Sequence, residues 1–176
     1  MAEAFGAAEL EAVVPRLRRY ARALTGTREA ADDLTQDALE RAWQKRALWR
    51  PGTDLRAWMF TIMHNVFVTG TRKGRPIVSL DDLGVEDNRP AAGTSVETGI
   101  VLGELARSLA LLPEEQREVL LLVGLEQFSY AEASEMLGVP IGTVMSRLSR
   151  ARERLRLLLD AGGAGTERPV ALRRVK

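Results

Sequence analysis

The sequence contains no cysteine and only one histidine in its 176 residues. The absence of cysteine excludes a disulfide framework, thiolate ligation of a metal and a cysteine nucleophile. A single histidine is too few for a His-rich zinc site or a two-histidine mechanism. Because no paired carboxylate or nucleophile stands at a usable spacing either, we expect no metal, no cofactor and no enzymatic activity.

Long apolar runs and targeting signals are also missing. The longest apolar run, Val119 to Val123, is far shorter than the ~18 residues that a membrane span needs. Residues 1–14 have neither the basic region nor the continuous apolar segment of a signal peptide. Hydrophobic residues still make up 45% of the chain, which is enough for a core. We expect a globular cytoplasmic protein that does not insert into membranes.

The near-neutral net charge of +1 hides an uneven distribution along the chain. Residues 1–78 carry 13 basic and 9 acidic side chains, whereas residues 79–99 carry one basic and five acidic ones. The acidic stretch is also rich in glycine, proline, asparagine and aspartate, which favour loops. We interpret 79–99 as a flexible acidic linker between two small domains, 1–78 and 100–160, and 161–176 as a flexible basic tail.

Helical periodicity dominates the first domain. One apolar face ends at Gly26 and consists of Leu10, Val13, Val14, Leu17, Tyr20, Ala21 and Leu24. Pro15 within that stretch predicts a kink or a late helix start. Thr27 can cap a second helix and Asp54 a third. Since no stretch alternates with period two, we predict an all-α protein whose N-terminal domain is a helical bundle.

The second predicted helix carries an acidic stripe. Its members stand at positions i, i+3, i+4 and i+7 and are Asp33, Gln36, Asp37 and Glu40. From charge alone the simplest interpretation is a solvated face with local ion pairs, such as Asp37 with Arg41.

Six of the nine aromatic residues fall between residues 20 and 67. Four lie on apolar helix faces and are expected in the core: Tyr20, Trp43, Trp58 and Phe67. Trp49 lies in a loop and Phe60 lies off the apolar face, so both are candidates for exposure. Basic residues surround them, namely Lys45, Arg46, Arg50, Arg56, Arg72 and Lys73. Exposed aromatic rings among cations are typical of a surface that binds single-stranded nucleic acid.

The second domain contains the signals of a helix-turn-helix. Pro113 predicts a helix start, and Ser129 with Glu132 forms a capping box that opens a short helix. Gly138 predicts the end of that helix, and a further helix starts near Ile141. A helix, a short glycine turn and a second helix are the arrangement that places a recognition helix in the DNA major groove.

The outer face of this last helix supports DNA binding. Opposite its apolar side stand Gly142, Thr143, Ser146, Ser149, Arg150 and Glu153, with Arg147 and Arg154 on one flank and Arg152 on the other. Small and polar side chains in the middle suit base contacts, and cations at the edges suit phosphate contacts. Arg150 has the donors to read a guanine edge bidentately.

Three segments together resemble a known family. The family is the extracytoplasmic-function (ECF) sigma factors, the small two-domain specificity subunits of bacterial RNA polymerase. The segments that resemble it are Ala31 to Trp43, Leu55 to Asn65 and Gly142 to Glu153. The resemblance covers roughly residues 8–159, with an acidic linker between the two domains as in the family.

The resemblance implies a role for each surface. The acidic stripe would bind the clamp helices of the polymerase β′ subunit, and the second domain the β flap. The loop from Trp49 to Asp54 and the helix from Leu55 to Lys73 would melt the −10 promoter element, with Asn65 and Arg72 in the family pattern. The recognition helix would read the −35 element.

Two departures from the family pattern stand out. Family members usually have Asp or Asn where this sequence has Thr69, which Gly70 follows, and many have a basic residue in place of Met145. His64 has no catalytic partner in sequence, and we expect it on the surface or facing DNA.

Two alternatives remain open. A stand-alone helix-turn-helix regulator would bind an operator as a dimer, without need of the acidic stripe. A sigma-mimic decoy would sequester an anti-sigma factor, but it has no need for intact DNA-reading residues. An anti-sigma factor is also a plausible partner of a true sigma factor.

Overall fold

The computed structural model describes residues 5–72 and 96–162. Within these two ranges the chain forms seven α-helices and no strand, in agreement with the all-α prediction. The helices are α1 (Ala7–Thr25), α2 (Arg28–Gln44), α3 (Leu55–Arg72), α4 (Val96–Ala110), α5 (Glu114–Leu120), α6 (Tyr130–Leu137) and α7 (Ile141–Gly162). Lys73, most of the predicted linker and most of the predicted tail lie outside the described residues.

Three of the residues predicted at helix ends in the N-terminal half lie there: Gly26, Thr27 and Asp54. Gly26 ends α1 in the left-handed conformation with φ of +87°, which glycine adopts without steric cost. The Thr27 hydroxyl accepts a hydrogen bond from the Ala30 N–H at 3.3 Å, and the Asp54 carboxylate accepts one from the Arg56 N–H at 2.8 Å. Pro15 lies within α1, eight residues after the helix begins at Ala7, so a late helix start is wrong.

The helix-turn-helix forms as predicted. The Ser129 N–H donates to the Glu132 carboxylate at 2.7 Å, and the Glu132 N–H donates to the Ser129 hydroxyl at 3.2 Å, which completes the capping box. Gly138 ends α6 with φ of +63°, and α7 begins at Ile141. One feature was not predicted: after α5 the chain makes a turn of π-helix over Leu121–Leu125.

The two halves of the molecule, residues 5–72 and 96–162, pack against each other. Helices α1, α2 and α3 form the N-terminal half, and α5, α6 and α7 pack together in the C-terminal half. The cluster of buried apolar side chains runs without a break from one half into the other. Contacts of α3 with α6, and of α1 with α4, join the halves.

Two aromatic predictions of burial and exposure are wrong. Trp43 was expected in the core, but it is 49% exposed, and the Arg46 guanidinium lies 4.7 Å from its ring centre. Phe60 was a candidate for exposure, but it is only 1% exposed. The apolar periodicity of α3 identifies only the face that packs within the N-terminal half. Phe60 lies on a second face, which packs against the C-terminal half.

Candidate nucleic-acid and polymerase interface

The outer face of α7 is open to solvent. Val144, Leu148 and Ala151 are at most 2% exposed and anchor the inner side of the helix. Opposite them the predicted reading residues are exposed or half-buried: Thr143, Ser146, Arg147, Ser149, Arg150, Arg152 and Arg154. The anchored inner side therefore holds a row of hydrogen-bonding groups and cations outward.

Acidic neighbours already engage part of this face. The Arg147 guanidinium pairs with the Glu115 carboxylate of α5 at 2.9 Å. One of the cations predicted to contact phosphates is therefore already paired within the protein. Arg156 pairs with Glu153 at 2.8 Å and with Asp160 at 3.1 Å. The hydrogen bond from Arg156, followed by its charge, lowers the pKa of Glu153. Glu153 is thus held toward the end of α7, away from Ser149 and Arg150.

The loop before α3 presents a basic and aromatic edge. Arg50 is exposed, whereas Trp49 is half-buried because the Phe5 ring packs on its edge with a centroid separation of 5.7 Å. Phe5 also contacts Trp58 at 5.5 Å. Trp49, a candidate for exposure from its place in the loop, is therefore only partly exposed. The contribution of Phe5 was missed because it precedes the periodic part of the sequence.

One side of α3 faces the C-terminal half instead of solvent. The Phe60 ring lies between Tyr20 and Phe128, with centroid distances of 5.1 and 5.2 Å. The Arg56 guanidinium lies 4.1 Å from the centre of the Phe128 ring and donates to the Glu126 carbonyl oxygen at 3.1 Å. Of the residues predicted to meet −10 DNA, Phe60 and Arg56 are therefore engaged within the molecule, and Phe60 is entirely covered.

His64 belongs to the same side of α3. Its Nδ1 lies 2.5 Å from Oε1 of Glu118, and its side chain is only 15% exposed. The expectation of a surface or DNA-facing histidine is wrong, because α5 supplies a carboxylate directly opposite. The sequence gives little signal for this pairing, since 54 residues separate the two side chains.

A groove between α2 and α3 brings the acidic stripe close to Asn65. Asp33, Gln36 and Glu40 are exposed, and Asp37 is half-buried. The groove has a volume of about 430 Å³, and its lining includes Asp37, Glu40, Arg41, Asn65 and Thr69. Asn65 itself is exposed. The stripe and Asn65 lie on different helices, and only the packing of α2 on α3 places them on one concave surface.

The contact between the halves contains buried charged groups. We call it the seam: Arg19, Tyr20, Arg56, Phe60 and His64 from the N-terminal half, with Arg117, Glu118, Glu126 and Phe128 from the C-terminal half. Arg19 pairs with the fully buried Glu126 carboxylate at 2.8 Å. Arg117 donates to the Leu24 carbonyl oxygen at 2.6 Å and to two carbonyls of its own half.

Tyr20 lies against both seam carboxylates. Burial, and then the negative charges of Glu118 and Glu126, raise the pKa of the Tyr20 hydroxyl well above its ordinary value of 10.0. Tyr20 is therefore neutral throughout the physiological range, and the charge balance of the seam rests on its arginines, histidine and carboxylates. Among the described residues no cluster of His, Asp and Glu is arranged to hold a metal ion, and no helix is long and apolar enough to cross a membrane.

Comparisons with known proteins define the family to which this fold belongs. Residues 10–64 match the family model described as the Sigma2 domain of PhyR, and residues 102–155 match the one described as sigma-70, region 4. The chain is 38% identical over 157 residues to the ECF RNA polymerase sigma factor EcfG of Rhodopseudomonas palustris (strain TIE-1), covering 89% of this chain and 86% of that protein. The chain belongs to the ECF RNA polymerase sigma factors.

Two solved structures agree with this assignment. One is the sigma factor RpoE in complex with the anti-sigma factor NepR from Bartonella quintana, with a TM-score of 0.72 and 38% identity over 87% of this chain and 95% of that one. The other is CnrH in complex with the cytosolic domain of CnrY, with a TM-score of 0.63 and 27% identity over 88% of each chain. The resemblance noted from the three sequence segments is thereby confirmed.

Proposed function

We propose that this sigma factor binds core RNA polymerase and directs initiation at promoters whose −35 element it reads with α7 and whose −10 element it melts with the N-terminal half. The observation that carries the proposal is the outer face of α7, where polar side chains and cations stand exposed above a fully buried inner side. The catalytic chemistry belongs to the polymerase, and the sigma factor contributes positioned DNA contacts.

Helix α7 supplies the duplex contacts. Ser146, Ser149 and Arg150 lie in the middle of the exposed face, where base edges would meet them. Arg152 and Arg154 lie at its margins and neutralise phosphates, and Arg147 joins them when it exchanges Glu115 for a phosphate. Bidentate readout by Arg150 would provide discrimination of about 1–3 kcal/mol at one base pair.

The N-terminal half supplies the contacts for strand separation. The accessible residues at one end of α3 and along it are Arg50, the half-buried Trp49 and Asn65. Arg72 and Lys73 follow later in the sequence and are the further basic residues that we assign to this contact. An unstacked base held there offsets the few kcal/mol that unpairing costs. Phe60 is not part of this surface, since its ring is covered.

The acidic stripe supplies the contact with polymerase. Asp33, Gln36 and Glu40 are exposed on α2, as a docking surface for the clamp helices of the β′ subunit requires. The C-terminal half would contact the β flap. Two DNA-binding units carried on one polymerase act together through effective concentration, so neither needs high affinity alone.

An anti-sigma factor is the second class of partner that we propose. The solved relatives RpoE and CnrH are described in complex with NepR and CnrY, respectively. A protein that works with polymerase on chromosomal promoters acts in the cytoplasm, and we place this chain there.

The decisive experiment is run-off transcription with purified core polymerase and genomic fragments. We expect discrete transcripts from a few start sites, whose upstream sequences define the −35 and −10 elements. Absence of core binding together with tight binding of one duplex would instead identify a stand-alone regulator. Capture of an anti-sigma factor without transcription or duplex binding would identify a decoy.

Charge reversal tests the acidic stripe. We expect Asp33→Arg to weaken binding to core polymerase by at least about tenfold, because it places a cation within a surface that complements basic clamp helices. Asp32→Arg is the matched control, since Asp32 is exposed on the same helix but pairs with Arg28 off the stripe. A competition assay measures the affinity of each variant for core polymerase. Equal affinities of the Asp33→Arg and Asp32→Arg variants would contradict the assignment.

A further inference from the structure

Two large apolar side chains lie exposed at the start of α7. Ile141, the first residue of the helix, is 48% exposed, and Met145 is 52% exposed. Because they stand at positions i and i+4, both side chains lie on the same side of the helix, one turn apart. We call them the apolar pair. They contrast with the hydroxyls and guanidinium groups that follow along the exposed side of α7.

The apolar pair continues into the predicted DNA-reading face. Met145, Ser149 and Arg152 stand at positions i, i+4 and i+7, so they form one row along α7, and all three are exposed. The recognition helix of a helix-turn-helix contacts base edges with its N-terminal residues. Met145 therefore lies at the end of the row that enters the major groove.

We propose that Met145 selects a thymine in the −35 element by packing on the C5-methyl group of that base, with Ile141 extending the apolar contact. This inference rests on the proposed function and names one base that the recognition helix selects. In the major groove thymine presents a methyl group to an apolar side chain, and adenine, guanine and cytosine lack that group.

The chemistry of the Met145 side chain favours a methyl group over a phosphate. A thioether carries no charge and no hydrogen-bond donor, so it can neither neutralise a phosphate nor donate to a base edge. Its unbranched chain is flexible and polarizable, which lets it follow the shape of an apolar partner. Burial of one methyl-sized apolar group strengthens binding by about fourfold.

Gly142 leaves room for DNA beside the apolar pair. A Cβ atom added to Gly142 would have no atom of the described residues within 4 Å outside its immediate backbone neighbours. Packing within the described part of the protein therefore does not require a glycine at this position. The missing side chain instead lets the groove approach the first turn of α7 closely, as contact between Met145 and a methyl group requires.

Removal of single methyl groups from the DNA tests the proposal. Once run-off transcription has defined the −35 element, each thymine on either strand is replaced in turn by deoxyuridine, which lacks only the C5-methyl group. We expect one of these replacements to weaken binding of the wild-type holoenzyme by about three- to fivefold. Holoenzyme with Met145→Ala should bind the thymine duplex weaker by a similar factor and show no further loss with deoxyuridine at that position.

Leu157→Ala is the matched control, because Leu157 is a 53% exposed apolar side chain near the other end of the same helix. This variant should keep the affinity of the wild type and the full effect of deoxyuridine. Met145→Lys keeps a long flexible side chain but ends it in a cation. We expect Met145→Lys to bind the thymine and deoxyuridine duplexes equally well.

Equal binding of every deoxyuridine duplex by the wild-type holoenzyme would overturn the proposal. A Met145→Ala holoenzyme that binds all duplexes less tightly but still distinguishes thymine from deoxyuridine would also overturn it, because the apolar pair would then contact the polymerase. Failure of the wild-type chain to direct any transcription would overturn the proposed function before any thymine is replaced. The two failures are therefore distinguishable.

Discussion

Helices α3 and α7 were both predicted to contact DNA, but they differ in how much of the predicted DNA-binding side is exposed. The inner side of α7 is buried and its outer side is open, which is the division that its apolar period predicts. On α3 the predicted inner residues Met59 and Met63 are buried, but so is Phe60 on the adjoining side. One helix carries a free surface and the other carries a surface that the second half occupies.

The difference shows what amphipathic periodicity can reveal. A period of 3.6 residues identifies the face that packs within the local bundle. It does not identify a second contact of the same helix with a distant part of the chain. The partners of α3 in that contact are Glu118, Glu126 and Phe128, which lie more than 50 residues further along the sequence. The α3 residues that meet them are of mixed type, one arginine, one phenylalanine and one histidine, and form no apolar stripe.

The largest expected effect tests whether Phe60 is a core residue. We expect Phe60→Ala to lower the free energy of unfolding by roughly 3–5 kcal/mol, because it removes a ring that packs between Tyr20 and Phe128. Trp43→Ala is the control, since Trp43 is 49% exposed and should cost less than about 1 kcal/mol. Urea denaturation measures both free energies of unfolding. Equal losses of stability in the two variants would show that Phe60 is not a core residue.

The next effect tests the free face of α7. Arg150→Ala should cost roughly 1–3 kcal/mol in binding and relax the preference at one base pair of the −35 element. Arg156→Ala is the control, because Arg156 is on the same helix but pairs with Glu153 and Asp160. Binding of polymerase holoenzyme to duplexes substituted at each position measures the effect. A uniform loss over all duplexes would make Arg150 a phosphate contact instead.

The smallest effect tests the cap that positions the helix-turn-helix. The Ser129 N–H, and then the Ser129 hydroxyl, lower the pKa of Glu132 from its ordinary value of 4.5. The stabilisation is therefore present above pH 4.5 and is lost as the pH falls through the lower folded-state pKa. Glu132→Gln should cost a few tenths of a kcal/mol at pH 7, because the carboxylate is largely solvated.

Thermal unfolding as a function of pH measures this contribution. The difference between the wild type and Glu132→Gln should narrow below pH 4.5, the ordinary value for glutamate. Glu135→Gln, an exposed position on the same helix, is the control. A difference that stays constant with pH would show that the charge of Glu132 adds nothing to the cap.

Local signals account for what the sequence predicted correctly. The ends of α1 and α6 follow from Gly26 and Gly138, and the start of α6 from Ser129 and Glu132. These are effects of a few neighbouring residues, which is why they are readable without a fold. The three family segments were readable for the same reason, since each occupies one continuous helix or its start.

The sequence by itself determined most of the helices and several of their caps, much of the inner side of each bundle, and the family to which the chain belongs. Only the tertiary structure decided that His64 meets Glu118, that Arg19 meets Glu126 and that the Phe60 ring lies against Phe128. The physical reason is that caps and periodicity depend on neighbours within a turn or two of helix. The seam depends on the relative position of two bundles, which no local pattern encodes.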